Sequence, residues 1–214
     1  MLSSSIVKNG LLLCVFAVFT TGLIAVTHNA TKSKIAEQRM AKQRAVLAEV
    51  VPGNLYDNTI AADCIATNHP LLGEQTKRIY RARKLGENTA LAVEFTTQNG
   101  YSGKIDLLLG VRKSGEVTGV RVLHHRETPG LGDKLELGIS DWILSFNGQI
   151  YTNATQSDWR VKKDGGTFDQ FTGATITPRA VVGAVAKALQ YVSSHQQMLF
   201  EQPSNCLEKP PINE

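Results

Sequence analysis

Residues 89–125 read TALAVEFTTQNGYSGKIDLLLGVRKSGEVTGVRVLHH, and this stretch decides the fold. It contains three runs rich in β-branched and apolar residues, separated by Gln-Asn-Gly-Tyr-Ser and by Lys-Ser-Gly. Asn-Gly and Ser-Gly are typical of the tight turns that join antiparallel strands. A similar run, KRIYRARK, precedes them at residues 77–84. The pattern therefore predicts an antiparallel meander.

Helical signals surround the meander and make the predicted fold class α+β. Two short helix candidates lie around residues 133–147. A final helix is predicted to begin at Thr177-Pro178, because proline favours the first helical position, and to end near Ser194. We therefore expect an antiparallel sheet flanked by helices.

The N-terminus carries an uncharged run of 17 residues from Gly10 to Val26. As a helix it spans about 26 Å, close to the roughly 30 Å hydrocarbon core of a bilayer. The apolar region of a signal peptide is usually shorter, and no Ala-x-Ala cleavage pattern follows Val26. A retained membrane anchor is therefore the preferred interpretation over a cleaved signal peptide.

These signals divide the chain into four predicted segments. Residues 1–28 form a transmembrane anchor, and residues 29–52, rich in good helix formers, form a stalk helix that Pro52-Gly53 ends. Residues 53–201 form the folded domain, and residues 202–214, with three prolines, form an irregular tail.

Composition excludes several classes of protein. The 214 residues carry a net charge of +4, which is too weak and dispersed for a nucleic-acid binder. Three cysteines are too few for a zinc site made of cysteine alone. His124 and His125 are adjacent on a predicted strand and so point to opposite faces, which disfavours a shared metal ion. No metal site is predicted.

Orientation across the membrane is ambiguous from charge. Only Lys8 precedes the apolar run closely, whereas five basic residues follow it between Lys32 and Arg44. The positive-inside rule then favours a cytoplasmic domain, although the rule weakens for long domains. Cys64 and Cys206 form a disulfide only in an oxidising compartment, and the alternative is two unrelated buried thiols.

The segment Asp169-Gln-Phe-Thr172-Gly173-Ala174-Thr175 lies immediately before the final helix. It offers hydroxyls, a permissive glycine and unpaired backbone N–H groups at a helix N-terminus, an arrangement that favours a phosphate group. An ordinary turn capped by Thr175 or Thr177 explains the same residues. Spacing alone leaves both interpretations open.

This segment resembles the D-x-x-[ST]-G-A-T signature of flavinylated FMN-binding domains at every signature position. The resemblance implies one covalent FMN per chain, joined as a phosphoester to the hydroxyl of Thr175, with Thr172, Gly173, Ala174 and Thr177 around it. In that family a separate flavin transferase, which uses FAD and Mg²⁺, installs the group. Asp169 is then recognised by the transferase, or is a turn-forming residue.

A second loop, Glu127-Thr128-Pro129-Gly130-Leu131-Gly132, follows the last predicted strand. By itself it indicates only a Pro-Gly turn. It also resembles the loop that lies against the flavin ring in the same family. The resemblance implies cofactor contacts by Thr128, Gly130, Leu131 and Gly132, and orienting or charge-tuning roles for Glu127 and Lys134.

The chain as a whole is similar to the G subunit of the Rnf electron-transport complex, and to the related but longer C subunit of the sodium-translocating NADH:quinone reductase. The resemblance implies a single-span electron carrier in the bacterial inner membrane, with its flavin domain in the periplasm despite the basic residues after the span. Its implied partners are the other Rnf subunits, the transferase and the lipid bilayer, and no nucleic acid. The complex couples electron transfer to ion translocation, and this component is not catalytic alone. A substrate-reducing flavoenzyme and a flavin-free binding or assembly module are the alternatives.

Overall fold

The computed structural model describes residues 2–206, without the side chains of residues 2–5, 36, 39 and 40. Its main elements, in chain order, are α1 (Leu2–Val50), β1 (Cys64–Thr67), β2 (Lys77–Lys84), β3 (Glu87–Gly100), β4 (Gly103–Arg112), β5 (Val117–His124) and α2 (Ile176–Glu201). Short 3-10 helices lie at Gly53–Leu55, Asp133–Leu135, Asp141–Phe146, Gln156–Asp158 and Lys162–Asp164. The α+β class is confirmed.

The chain forms two compact units, one ending at Arg44 and the other beginning at Ala45. In the first unit, residues Ile6–Ile35 of α1 are long and apolar enough to cross a membrane, and no side chain of this apolar window is buried. The hydroxyls of Thr20 and Thr27 donate to the carbonyls of Phe16 and Leu23, so the backbone satisfies these polar groups inside the apolar segment. The predicted anchor and stalk form one continuous helix.

The second unit contains a five-stranded sheet with the strands in chain order, each antiparallel to the next. This confirms the predicted meander for β2 to β5, whereas β1 was not predicted. Side chains alternate across the sheet, so Val93 and Leu109 face one core while Ala92 and Leu108 face another. Helix α2 contributes to the first core, and the last residues of α1 contribute Leu47 and Val50 to the second. Both faces of the sheet are therefore covered.

Helix α2 extends seven residues beyond the predicted end at Ser194. The residues that follow contain no proline or glycine, and Leu199 and Phe200 are buried, so the apolar pattern continues. The prediction gave too much weight to the polar stretch Ser193–Gln197. The helix ends at Glu201, two residues before Pro203.

Two arginines of β2 hold the C-terminal end of α2. Arg81 donates to the carbonyl of Gln202 and Arg83 donates to that of Phe200 at 3.0 Å. Both guanidinium groups also bind Asp63, at 2.7 Å from Arg81 Nε and 2.9 Å from Arg83 Nε. Cationic donors thus satisfy carbonyls that a helix terminus leaves unpaired, and stabilise the negative end of its dipole.

A disulfide joins Cys64 to Cys206 across a Cα–Cα distance of 5.7 Å. Beside it, the side chain of Asn205 accepts from the N–H of Ala66 at 2.6 Å and donates to its carbonyl at 3.4 Å. The segment after α2 thereby covers the free edge of β1, which would otherwise present unpaired backbone groups. Of the predicted irregular tail, residues 207–214 lie outside the described part of the chain.

Two glycines let the end of α1 approach the sheet closely. Gly110 of β4 is paired with Gly119 of β5. A Cβ on Gly119 would lie 3.1 Å from the Cα of Val50, and one on Gly110 would overlap the carbonyl oxygen of Val50. The hydroxyl of Thr118 donates to that same carbonyl. The two glycines therefore form a notch that receives the last turn of α1.

Replacing Gly110 with alanine tests this notch. The added methyl group overlaps backbone that has no room to move, so we expect Gly110→Ala to lower the free energy of unfolding by about 1–3 kcal/mol. Gly138→Ala is the control, because a Cβ there meets no atom within 4 Å. Denaturant unfolding of the full chain in detergent gives both values, and equal stability of the two variants would contradict the prediction.

The disulfide makes a second prediction. Its cysteines are 142 residues apart, and loop-closure entropy then gives about 5 kcal/mol of stabilisation in the chain-entropy model. We expect Cys206→Ser to lower the thermal midpoint in non-reducing buffer and to match the parent chain once reductant is added. Cys14→Ser, at the free cysteine, is the control and leaves the midpoint unchanged. A Cys206→Ser midpoint equal to that of the parent without reductant would show that the bond contributes nothing.

Candidate functional site

A cavity of about 290 Å³, here called the cleft, lies at the N-terminal end of α2. Three segments form its walls: the turn between β3 and β4, the loop after β5, and the segment that begins α2. The lining residues are Tyr101, Glu127, Thr128, Leu131, Gly132, Gly173, Ala174, Thr175, Ile176 and Thr177. The fold therefore brings the two sequence motifs, about 40 residues apart along the chain, to one place.

Thr175 is the N-cap residue of α2, but its side chain makes no capping hydrogen bond. Among the described residues its hydroxyl has no hydrogen-bond partner, and the residue lines the cleft. The first N–H groups of a helix lack partners within the helix, and the helix dipole favours negative charge there. A free hydroxyl thus stands at a position suited to a phosphate group.

The other two threonines of this region differ from Thr175. Thr177 is fully buried, and its hydroxyl donates to the carboxylate of Glu127. Thr172 is exposed and is not part of the cleft wall. Within the described residues, Thr175 alone of the three combines an unengaged hydroxyl with a position on the cleft. The predicted cofactor contacts of Thr172 and Thr177 stay predictions.

Gly173 shapes the turn that precedes Thr175. Its φ of +81° lies in the left-handed region, where glycine avoids the steric cost that other residues incur. A Cβ at this position would also contact Leu131 Cδ2 at 3.4 Å, so the motif and the second loop approach each other closely. Glycine thus serves both the turn and the contact between the two walls.

The loop after β5 folds back on itself through backbone hydrogen bonds. The N–H groups of Leu131 and Gly132 donate to the carbonyl of Thr128 at 3.1 and 3.0 Å. Gly130, with a φ of +77°, donates its N–H to the carboxylate of Asp133 at 2.8 Å. The loop presents Leu131 at the cleft, whereas Gly130 and Lys134 are not among the lining residues. Their roles therefore stay predictions.

Three large apolar side chains at the cleft are exposed to solvent. Tyr101 is 68% exposed, Ile176 46% and Leu131 43%. Exposed apolar side chains gathered at one cavity are typical of a binding site for an apolar surface. Sequence reasoning missed Tyr101; the signal was an aromatic residue inside an otherwise polar turn, Gln98–Ser102.

Trp142 supports the segment Asp169–Thr175 through a hydrogen bond and a ring contact. Its indole N–H donates to the backbone carbonyl of Asp169 at 2.8 Å, and its ring meets Phe171 edge-on with centroids 4.9 Å apart. Trp159 is buried in the same aromatic cluster. The two tryptophans therefore pack in or against the core. The Asp169 carboxylate is 70% exposed and binds Lys162 at 2.6 Å.

Two further polar side chains near the site, His125 and Arg179, have structural partners. His125 accepts the N–H of Glu127 through Nδ1 at 3.0 Å and faces Glu136 through Nε2 at 2.5 Å. In the first turn of α2, Arg179 donates to Asp164, and this hydrogen bond holds the pKa of the Asp164 carboxyl below its usual range. The described residues contain no cluster of three potential metal ligands.

A larger cavity of about 640 Å³ lies elsewhere, between residues 68–74, the end of β3 and the outer side of α2. Its lining includes many polar side chains and none of the predicted site residues. Size alone therefore does not identify the site, and the unengaged hydroxyl and apolar rim favour the smaller cleft.

Comparison with known sequences defines the class. Residues 100–190, which include all three walls of the cleft, match the FMN-binding domain family. Residues 1–50 match the family described as the RnfG N-terminal region.

Curated relatives then identify the particular family. The G subunit of the ion-translocating oxidoreductase complex from Vibrio cholerae serotype O1 (strain M66-2) is 51% identical over 95% of this chain and 98% of its own length. The proteins of the same name from Vibrio atlanticus and Shewanella oneidensis are 49% and 45% identical over similar shares. The chain belongs to the family of G subunits of the ion-translocating oxidoreductase complex, which confirms the resemblance drawn from its motifs.

The site fits the group that the family implies. A phosphate requires donors and a positive potential, which the start of α2 supplies, and a flavin ring requires a flat apolar surface, which Tyr101, Leu131 and Ile176 supply. The volume of the cleft, about 290 Å³, lies at the lower end of the range of about 300–1,000 Å³ for ligand pockets, and the apolar side chains at its rim are exposed. We therefore expect it to hold such a group partly exposed.

The support that Trp142 gives to the motif is testable. Trp142→Phe keeps an aromatic ring but removes the donor to Asp169, so we expect the free energy of unfolding to fall by about 1 kcal/mol. Lys162→Met, which removes only the exposed ion pair, should cost less than about 0.5 kcal/mol. Denaturant unfolding measures both free energies. A larger loss of stability in Lys162→Met than in Trp142→Phe would contradict the prediction.

Proposed function

We propose that this chain carries one FMN as a phosphoester on Thr175 and is the electron-carrying component of an ion-translocating complex in the bacterial inner membrane. The observation that carries the proposal is the Thr175 hydroxyl, which is unengaged and lies on the cleft at the N-terminus of α2. The FMN-binding family match and the relatives named as subunits of an ion-translocating oxidoreductase complex support it.

The shape of the cleft explains why a covalent bond would be useful. The apolar side chains at the rim of the cleft are exposed, and an exposed helix-dipole contact contributes only about 0.3–1 kcal/mol. Noncovalent FMN would then dissociate readily, and a phosphoester prevents this loss. The same exposure leaves part of the ring open to redox partners.

The residues of this chain bind and orient and do no chemistry of their own. FMN supplies one-electron transfer when it is bound. Leu131, Tyr101 and Ile176 would hold the ring, and the N–H groups at the start of α2 would receive the phosphate. In this proposal the protein passes electrons between neighbouring cofactors and is not catalytic alone.

The disulfide supports a periplasmic location for the flavin domain. Disulfides persist in the periplasm and are rare in the cytosol, and Cys64 is bonded to Cys206. The basic residues after the span favour the opposite orientation, but that rule weakens for a long folded domain. We give the disulfide more weight, because it depends on the compartment in which the domain itself lies.

The proposed partners follow from this location. The other subunits of the complex supply electrons and the ion path, and the bilayer holds α1. A flavin transferase that uses FAD and Mg²⁺ attaches the FMN, and the exposed carboxylate of Asp169 is accessible to it. The coupling of electron flow to ion movement belongs to the assembled complex.

Removing the acceptor hydroxyl tests the proposal directly. When the full chain is co-expressed with a flavin transferase, Thr175→Ala should lose flavin fluorescence on a denaturing gel and the FMN phosphoryl mass increment on the motif peptide. Ser157→Ala, at an exposed hydroxyl outside the motif and the cleft, should keep the modification. Full fluorescence in Thr175→Ala would refute this attachment site, and an unmodified parent chain would favour the flavin-free alternative.

A further inference from the structure

Glu127 is a buried carboxylate on which the three walls of the cleft converge. The residue is 5% exposed. From the β3–β4 turn, the N–H of Ser102 donates to Oε1 at 2.9 Å and the N–H of Tyr101 donates to Oε2 at 3.3 Å. From the first turn of α2, the hydroxyl of Thr177 donates to Oε2. One side chain thus connects the second loop to both of the other walls.

The surrounding backbone is shaped for this carboxylate. A Cβ on Gly100 would lie 2.9 Å from Glu127 Oε1, and one on Gly132 would lie 2.8 Å from Glu127 Cβ. A side chain at either position would collide with Glu127, so both glycines are needed for its placement. The tight enclosure prevents the carboxylate from turning toward solvent.

The charge of Glu127 has no cationic counterpart among the described residues. Its partners are two amides and one hydroxyl, all of which donate, so the site suits the ionised carboxylate and requires no proton from it. Hydrogen bonds replace its lost hydration, but they do not cancel its charge. A negative charge therefore stands in the wall of the cleft.

We propose that Glu127 is the positioning residue of the cleft: its carboxylate holds the Tyr101 turn and the start of α2 against the loop that carries Leu131, and its charge lowers the reduction potential of a flavin bound there. The positioning role involves only residues of this chain and does not require a bound flavin. The effect on the reduction potential of the flavin rests on the proposed function. A negative charge close to the ring opposes the arrival of an electron, and the opposition is stronger in a site of low dielectric constant.

Two substitutions separate the reach of the side chain from its charge. Glu127→Gln keeps the length and removes the charge, and it replaces one acceptor oxygen with an NH₂ group that the backbone N–H donors cannot pair with. Glu127→Asp keeps the charge but withdraws the carboxylate from the turn. Glu87→Gln, at an exposed glutamate that begins β3, is the matched control.

The first measurement needs no flavin. In the full-length Thr175→Ala background, hydrogen exchange at the amides of Tyr101 and Ser102 should become about tenfold faster with either substitution at Glu127 and should not change with Glu87→Gln. Unchanged exchange in both Glu127 variants would overturn the positioning role. If Glu127→Gln does not fold, Glu127→Asp alone decides this point.

The second measurement uses the flavin-loaded full chain. Spectroelectrochemical titration should give a more positive midpoint potential for Glu127→Gln than for the parent, and values close to the parent for Glu127→Asp and Glu87→Gln. A Glu127→Gln potential equal to that of the parent, or an equal shift in Glu127→Asp, would overturn the charge effect and leave a purely structural residue. If the parent carries no flavin, the proposed function fails, whereas the exchange experiment still decides the positioning role.

Discussion

The placement of helix α2 on the sheet is the constraint on which the rest of the folded unit depends. The helix is fixed at both ends by charged groups and along its length by apolar packing. At its C-terminal end, Arg81 and Arg83 bind the last carbonyls and share Asp63. At its N-terminal end, Thr177 is bound to Glu127. Because the cleft is built around the start of this helix, any movement of α2 along the sheet would separate its walls.

The sheet makes this arrangement possible because both of its faces are apolar. A meander with one solvated face would show strict alternation, but β4 contains the run Leu107-Leu108-Leu109 and is buried on both sides. One face receives α2 and the other receives the end of α1, from Ala45 onward. The paired glycines at 110 and 119 make the second contact close enough for backbone to lie on backbone. The folded unit thus includes the end of the helix whose apolar part is suited to a membrane.

Local signals determined how much of this could be predicted from the sequence. The meander followed from apolar runs separated by Asn-Gly and Ser-Gly, and the start of α2 was predicted to within two residues from Thr177-Pro178. The predicted end of α2 was wrong. Leu199 and Phe200 are buried by tertiary contacts, which the polar stretch before them does not indicate. The two site motifs were found by resemblance. Tyr101 was missed because its turn is distant in sequence from both motifs, and the hydrogen bonds of Glu127 depend on the same long-range contacts.

The different states of the three threonine hydroxyls also bear on the order of events in maturation. In an unfolded chain, Thr172, Thr175 and Thr177 would be chemically alike and equally accessible. In the folded chain Thr177 is enclosed and Thr175 faces the cleft. If FMN is attached as proposed, folding excludes Thr177 as an acceptor, and the modifying enzyme has only to distinguish Thr175 on the cleft from the exposed Thr172. Attachment would then come after folding, and so after export and closure of the disulfide, as the last step in building the protein.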